Sequence, residues 1–169
     1  MQNKSDFKIL AIDDDKDILL LLKYNLESEG YYVETASSGK KGISLAQKIN
    51  PNLMLVDIMM PDMDGIQTCI KLREIDNLKS SYILFLTARA EEYSEVAAFD
   101  AGADDYITKP IKPRALLSRI NSFYKRASSK VSSSKSLKVG DLDINKDSYV
   151  VKVKNCLLYT SPSPRDKTV

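Results

Sequence analysis

Asp13-Asp14-Asp15 closes one apolar run of the chain and Asp57 closes a second. Thr87 ends a third, and Lys109-Pro110 follows a fourth. If these ends lie side by side, Asp13, Asp14 and Asp57 converge. Carboxylates sharing a cleft repel one another and resist ionising unless a cation compensates. Mg²⁺ is the natural compensation, because it prefers oxygen and is held by few carboxylates together with water and phosphate oxygens. Lys109 brings a second positive charge and Thr87 a hydroxyl donor. An aspartate nucleophile, a metal, a lysine and a hydroxyl around one pocket suit transfer of a phosphoryl group to a carboxylate.

Each residue also has a plainer reading. An Asp triplet alone is a solvated loop or a helix N-cap, and Asp15 or Asp17 is expected to be only that. Asp57 alone is a turn residue, and a Lys-Pro pair alone carries no signal. The joint reading prevails because four separate strand ends supply matching residue types. Gly39-Lys40 lacks the upstream glycine of a phosphate loop and is followed by Lys41 instead of Ser/Thr, so it reads as a helix start.

Composition narrows the chemistry further. Histidine is absent from the 169 residues, which excludes Ser-His-Asp and Cys-His catalysis and any His-ligated metal within this chain. Cys69 and Cys156 lie far apart without a CxxC, so neither a disulfide framework nor a zinc site is indicated. The 25 Lys+Arg against 23 Asp+Glu give a net charge of +2, and bulk electrostatics argue for no nucleic-acid partner. No apolar run is long enough to span a membrane, and Met1–Lys8 has no signal-peptide core. A reducing cytoplasm is the expected location.

The elements that must position these residues follow from hydrophobic period. Strands are predicted over Phe7–Ile12, Tyr31–Ala36, Leu53–Ile58, Tyr82–Thr87 and Tyr106–Thr108. Helices are predicted over Asp17–Glu29, with Ile18, Leu21, Leu22 and Leu26 inward, and over Gly39–Ile49, with Ile43, Ala46 and Ile49 inward. A third helix places Ile66, Cys69, Ile70 and Arg73 on one face, and a fourth spans Glu91–Asp100. A fifth opens at Pro113, with Leu116, Leu117, Ile120 and Phe123 inward. Strands that are apolar throughout are covered on both faces. The fold class is therefore α/β, a doubly wound five-stranded parallel sheet, flavodoxin-like if its order is 2-1-3-4-5. That order places the first and third strands about 5 Å apart, and ligands of such sheets bind at the carboxyl ends of the strands.

Residues 1–126 form the first predicted domain. Residues 127–136 (ASSKVSSSKS) are a serine-rich linker by composition. Residues 137–155 alternate apolar and polar, as in an antiparallel hairpin turning at 145–148. Residues 156–169 show no periodicity and are read as a non-native or disordered tail, since CLLYTSPSPRD resembles translated sequencing-adapter sequence.

Residues 7–126 resemble the receiver domain of two-component response regulators. The strings that carry the resemblance are IDDD (12–15), LVDIMMPDMDG (55–65), LTA (86–88) and GADDYITKP (102–110). The resemblance implies that Asp57 accepts the phosphoryl group. It implies Mg²⁺ held by Asp13, Asp14, Asp57 and the backbone carbonyl of Met59, and phosphate oxygens held by Thr87 and Lys109. Tyr106 would be the switch aromatic, rotating inward as Thr87 moves. The donor histidine belongs to a sensor histidine kinase, since this chain has none. The protein is thus expected to be a self-catalysing phosphoacceptor and not an enzyme acting on a separate substrate. Met59 and Arg89 flank the water path in this family. Neither offers an acid to position water, so the acyl phosphate is expected to hydrolyse slowly.

The stretch LKVGDLDINKDSYVVKVKN resembles the small sheet that precedes the winged helix of OmpR-type regulators. That subfamily dimerises through helix 4, strand 5 and helix 5, and Asp100, Asp105, Arg119 and Arg126 match its ion-pair positions. Glu95 and Ala115 depart from that set, and Ile111 stands where Phe is usual. No recognition helix follows Asn155, so the output domain reads as truncated, and DNA reading is expected only of a longer version. Lys130, Lys135, Lys138, Lys152 and Lys154 support at most nonspecific phosphate contact. A stand-alone phosphotransfer receiver without DNA binding is the alternative. An aspartyl phosphatase would need a second acid where Met59 stands.

Overall fold

Uninterrupted apolar runs fix the centre of the molecule. The computed structural model describes residues 3–88, 92–132, 137–139, 142–145, 150–153 and 156–159. Five parallel strands, β1 (Lys8–Ile12), β2 (Tyr32–Ala36), β3 (Leu53–Asp57), β4 (Tyr82–Thr87) and β5 (Asp105–Thr108), are ordered β2-β1-β3-β4-β5. All five residues of β3 are buried, as are the last four of β1 and the last five of β4. Helices α1 (Lys16–Ser28), α2 (Gly39–Ile49), α3 (Gly65–Glu74), α4 (Glu92–Asp100) and α5 (Pro113–Ser132) alternate with them. The expected doubly wound sheet and its order are those observed. Among the described residues, no helix is long and apolar enough to cross a membrane.

Helices α1, α2 and α3 each start on a capping side chain. Asp15 accepts hydrogen bonds from the Asp17 and Ile18 amides, Ser38 from the Lys41 amide and Asp64 from the Gln67 amide. Such caps satisfy amides that the helix leaves without partners. Asn50 ends α2 in the left-handed region, at φ 47°, ahead of Pro51.

Two predicted faces are corrected. The inward stripe of α1 is Leu19, Leu22 and Leu26, whereas Leu21 is exposed and Ile18 only half-buried. The helix begins one residue earlier than its periodicity suggested, and five consecutive apolar residues left its phase ambiguous. On α3 the buried residues include Thr68, Cys69 and Leu72, while Ile70 is largely exposed. Thr68 tolerates burial because its hydroxyl donates to the Asp64 carbonyl.

Arg73 leaves α3 to tie down the opposite end of the sheet. Its guanidinium donates to the carbonyls of Gly102 (2.9 Å) and Ser81 (2.6 Å) and to Asp104 (2.9 Å). Asp104 in turn accepts the Ile83 amide. The planar fork of arginine suits such convergent acceptors.

The helix α5 packs Leu116, Ile120 and Phe123 inward. It is fastened by the Tyr31 hydroxyl donating to Asn121 at 2.6 Å, and Tyr124 joins Phe7 and Tyr31 in an edge-to-face aromatic trio. The helix continues to Ser132, which corrects the reading of the whole 127–136 stretch as linker. The Ser129 hydroxyl donates back to the Lys125 and Arg126 carbonyls, the bond through which serine is accommodated inside a helix. Residues 133–136 lie outside the described ones.

The chain divides into two compact units, Met1–Tyr124 and Lys125–Val169. The second holds an antiparallel sheet of β6 (Leu137–Val139), β7 (Leu142–Asn145), β8 (Val150–Val153) and β9 (Cys156–Tyr159) in sequential order. The hairpin of β7 and β8 pairs Ile144 with Val151. Of the reading of 156–169 as a non-native or disordered tail, the strand β9 departs from the second alternative over its first four residues, Cys156 pairing with Val153. Residues 160–169 lie outside the described ones.

Candidate functional site

Strand register alone brings the charged ends together. Ile12 pairs with Val56, Asp57 with Leu86, and Thr87 with Thr108. Asp13 and Lys109 each lie one residue beyond these pairs, so Asp13, Asp57, Thr87 and Lys109 emerge at one end of the sheet.

Local hydrogen bonds then aim the side chains. The Asp13 amide donates to the Ala36 carbonyl of β2 (3.1 Å), and the Asp13 carboxylate accepts the Asp15 amide at 2.9 Å. The Lys109 amide donates to the Thr87 carbonyl at 2.6 Å. The Lys109–Pro110 peptide bond is cis. Gly65 opens α3 against the back of the site, and its amide donates to the Ile58 carbonyl at 2.8 Å. A Cβ at Gly65 would stand 2.3 Å from the Asp57 carbonyl oxygen and 2.7 Å from Ile58 Cα. Both neighbours are backbone, so only glycine admits this approach.

Asp13 and Asp57 are almost completely buried, Thr87 is 7% exposed, and Asp14 is open to solvent. One ligand oxygen from each of Asp13, Asp14 and Asp57 lies within 4.8 Å of the others. Lys109 Nζ stands 3.0 Å from Asp13 Oδ2 and 3.2 Å from Asp57 Oδ1. Burial, reinforced by the charge of Asp13, pushes the Asp57 carboxyl up to about 6, against the pull of Lys109 and of the Met59 amide. Burial disfavours the Lys109 ammonium, but its hydrogen bond to Asp13 and the charge of Asp57 outweigh this and hold it above the ordinary lysine value. One ammonium thus leaves the carboxylates undercompensated. The donor set is all oxygen and carries surplus negative charge, which fits a hard divalent cation such as Mg²⁺ and disfavours softer metals.

Asp13, Asp57 and Lys109 therefore meet through their side chains, and strand register sets Thr87 at the same end of the sheet. The Met59 amide turns toward Asp57, while its side chain is 75% exposed. Tyr106 is half-buried against the core, its ring edge-to-face with Phe99 at 6.3 Å. Asp105 forms an ion pair with Arg119 of the same chain. Asp100 and Arg126 are exposed on α4 and α5. Val96 and Phe99 are exposed apolar residues of α4. Arg89 lies outside the described residues, as do Glu91 and the side chain of Glu95.

Sequence reasoning missed two supports of the site. One is Gly65, whose position after Met-Asp at a strand-to-helix turn signals a tight approach without naming what it approaches. The other is the Asp15 amide that holds the Asp13 carboxylate, which follows once Asp15 is recognised as a helix cap.

A family model, "Response regulator receiver domain", matches residues 9–121. The chain is 38% identical over 163 residues to the alkaline phosphatase synthesis transcriptional regulatory protein PhoP of Bacillus subtilis, covering 92% of this chain and 67% of that protein. It is 41% identical over 128 residues to the transcriptional regulatory protein ResD of the same organism, covering 76% and 52%. The chain thus spans about two thirds of the first relative and about half of the second. Among solved structures, a CheY-like response regulator receiver domain protein from Methanospirillum hungatei superposes with a TM-score of 0.68 at 35% identity, over 73% of this chain and 97% of that one.

Proposed function

The chain belongs to the response regulator receiver domain family, and we propose that Asp57 takes a phosphoryl group from a histidine of a sensor kinase to switch an output. The observation that carries this reading is the Asp57 carboxylate, buried yet facing a lysine and two further carboxylates at the mouth of the sheet.

A carboxylate oxygen of Asp57 attacks phosphorus in line with the leaving imidazole. The new O–P bond forms as the P–N bond breaks, and the imidazole takes up a proton. The Met59 amide and the 3.2 Å contact to Lys109 hold the nucleophile in place. Lys109 and the Thr87 hydroxyl receive the phosphoryl oxygens, a preorganised electrostatic role. Asp13, Asp14, Asp57 and the Met59 carbonyl would hold Mg²⁺, which supplies neutralisation of the clustered negative charge. The chain is in this reading a self-catalysing phosphoacceptor that works in the cytoplasm. With Met59, which is not an acid, two residues after Asp57, hydrolysis of the acyl phosphate is slow.

Once phosphate oxygens engage Thr87 and Lys109, the Thr87 backbone shifts and Tyr106 turns further inward. Only interactions stronger in the switched state than in the resting one move this equilibrium. The surface of α4, β5 and α5 then favours a homodimer, with Asp100, Asp105, Arg119 and Arg126 exchanging pairs between subunits. The within-chain Asp105–Arg119 pair would have to open for that exchange. Transcriptional output follows by likeness to PhoP and ResD, both named transcriptional regulatory proteins.

Incubation with phosphoramidate and Mg²⁺, then borohydride reduction and peptide mapping, tests the reading. Reduction at residue 57 alone is expected. Label on another residue, or none, would overturn it.

A further inference from the structure

On the β2 side of the phosphate site, a cavity of about 550 Å³ opens between α1 and α2 at the carboxyl end of the edge strand β2. Its apolar lining is Leu19, Leu20, Ala36 and Leu45, and Lys16, Lys23 and Lys41 also line it. No carboxylate contributes to the lining. We propose that this cavity binds a small organic anion, with an oxyanion head among the lysines and an apolar body on the leucines.

Charge and shape carry the inference together. Among the described residues, Lys23 alone of the three has an acidic partner, Glu27 at 3.7 Å on the solvent side of α1. Among the described residues the Lys41 ammonium donates only to the neutral Ser37 hydroxyl, at 3.2 Å. Lys16 enters no ion pair among those residues, and the neighbouring Asp15 carboxylate is occupied in capping α1. The lining therefore holds three lysines and no carboxylate. Leu20 is 69% exposed at this site, apolar area that a ligand body would remove from water. The volume falls within the range of about 300–1,000 Å³ typical of small-molecule sites. Inorganic phosphate would satisfy the lysines but leave the leucines wet, and a neutral hydrocarbon would do the reverse. The favoured ligand class unites both features.

This site stands independently of the phosphoacceptor reading. Amide chemical shifts of the full chain without Mg²⁺ test it, with 1-naphthyl phosphate, 1-naphthoate, 1-naphthol and inorganic phosphate as probes. One or both naphthyl anions are expected to shift amides of Lys16–Lys23, Thr35–Ser37 and Lys41–Leu45, and their relative strength tells phosphate from carboxylate. The alcohol and inorganic phosphate should bind about tenfold more weakly at these amides, and Lys16→Glu with Lys41→Glu should weaken the anions about tenfold. Lys16→Gln with Lys41→Gln replaces that pair if charge reversal disturbs the folded spectrum. Shifts confined to Asp13, Asp57 and Lys109, or anion binding unchanged in the variants, would overturn the proposal.

Discussion

Lys109 Nζ and Asp13 Oδ2 stand 3.0 Å apart although 96 residues separate them in sequence. The same ammonium reaches Asp57 at 3.2 Å. A single lysine therefore bridges two buried carboxylates that would otherwise repel. Replacing Lys109 by Gln removes the charge while keeping much of the side chain. Phosphoryl transfer from a small donor is expected to slow by about a hundredfold, the usual penalty for losing one preorganised electrostatic donor. Initial rates of phosphorylation at fixed Mg²⁺ check this.

The raised Asp57 carboxyl makes the metal-free protein sensitive to pH. Its value lies near 3.8 in an unfolded chain and about 6 here, so the folded state binds the proton more tightly. The stability associated with the protonated form is fully present below 3.8 and is lost as pH rises through about 6. The loss amounts to at most about 3 kcal/mol. In EDTA, denaturation midpoints of native protein should fall across this window relative to Asp57→Asn. Parallel pH profiles would contradict the assignment.

The cation should reverse that penalty. Ligand present at about 100 times its dissociation constant stabilises a fold by about 2.7 kcal/mol. Mg²⁺ is expected to raise the melting temperature of native protein and to have little effect on Asp13→Asn or Asp57→Asn. Differential scanning calorimetry with and without Mg²⁺ reads this directly.

Gly65 and Arg73 are the scaffold tests. Gly65→Ala places a methyl group 2.3 Å from the Asp57 carbonyl oxygen. The turn behind the nucleophile must then move, and both stability and phosphorylation rate should drop. Arg73→Ala leaves the Ser81 and Gly102 carbonyls and Asp104 without their shared donor. A loss of roughly 2–4 kcal/mol in urea denaturation is expected, with the phosphorylation rate largely retained.

Most of the site could be read before the fold because its residues sit at the ends of apolar runs. Asp13, Asp57, Thr87 and Lys109 each follow or close a stretch that reads as a buried strand, and parallel order makes such ends neighbours. The phase of α1 was less legible, since Ile18–Leu22 is apolar at every position and tertiary packing alone selected Leu19 over Leu21. The extension of α5 through Ser128 and Ser129 contradicted a compositional rule, because serine hydroxyls can bond back to the preceding turn. The strand Cys156–Tyr159 gave no alternation to read and gains its order from pairing with β8.

The central claim is that the Asp57 carboxylate carries the phosphoryl group with Mg²⁺ as helper. Intact-mass spectrometry after incubation with acetyl phosphate tests it most directly, on native protein and Asp57→Ala, each with Mg²⁺ or EDTA. One phosphoryl mass should appear on the native chain with Mg²⁺ and be absent from the other three samples. An equal mass gain on Asp57→Ala, or none on the native chain, would contradict the account.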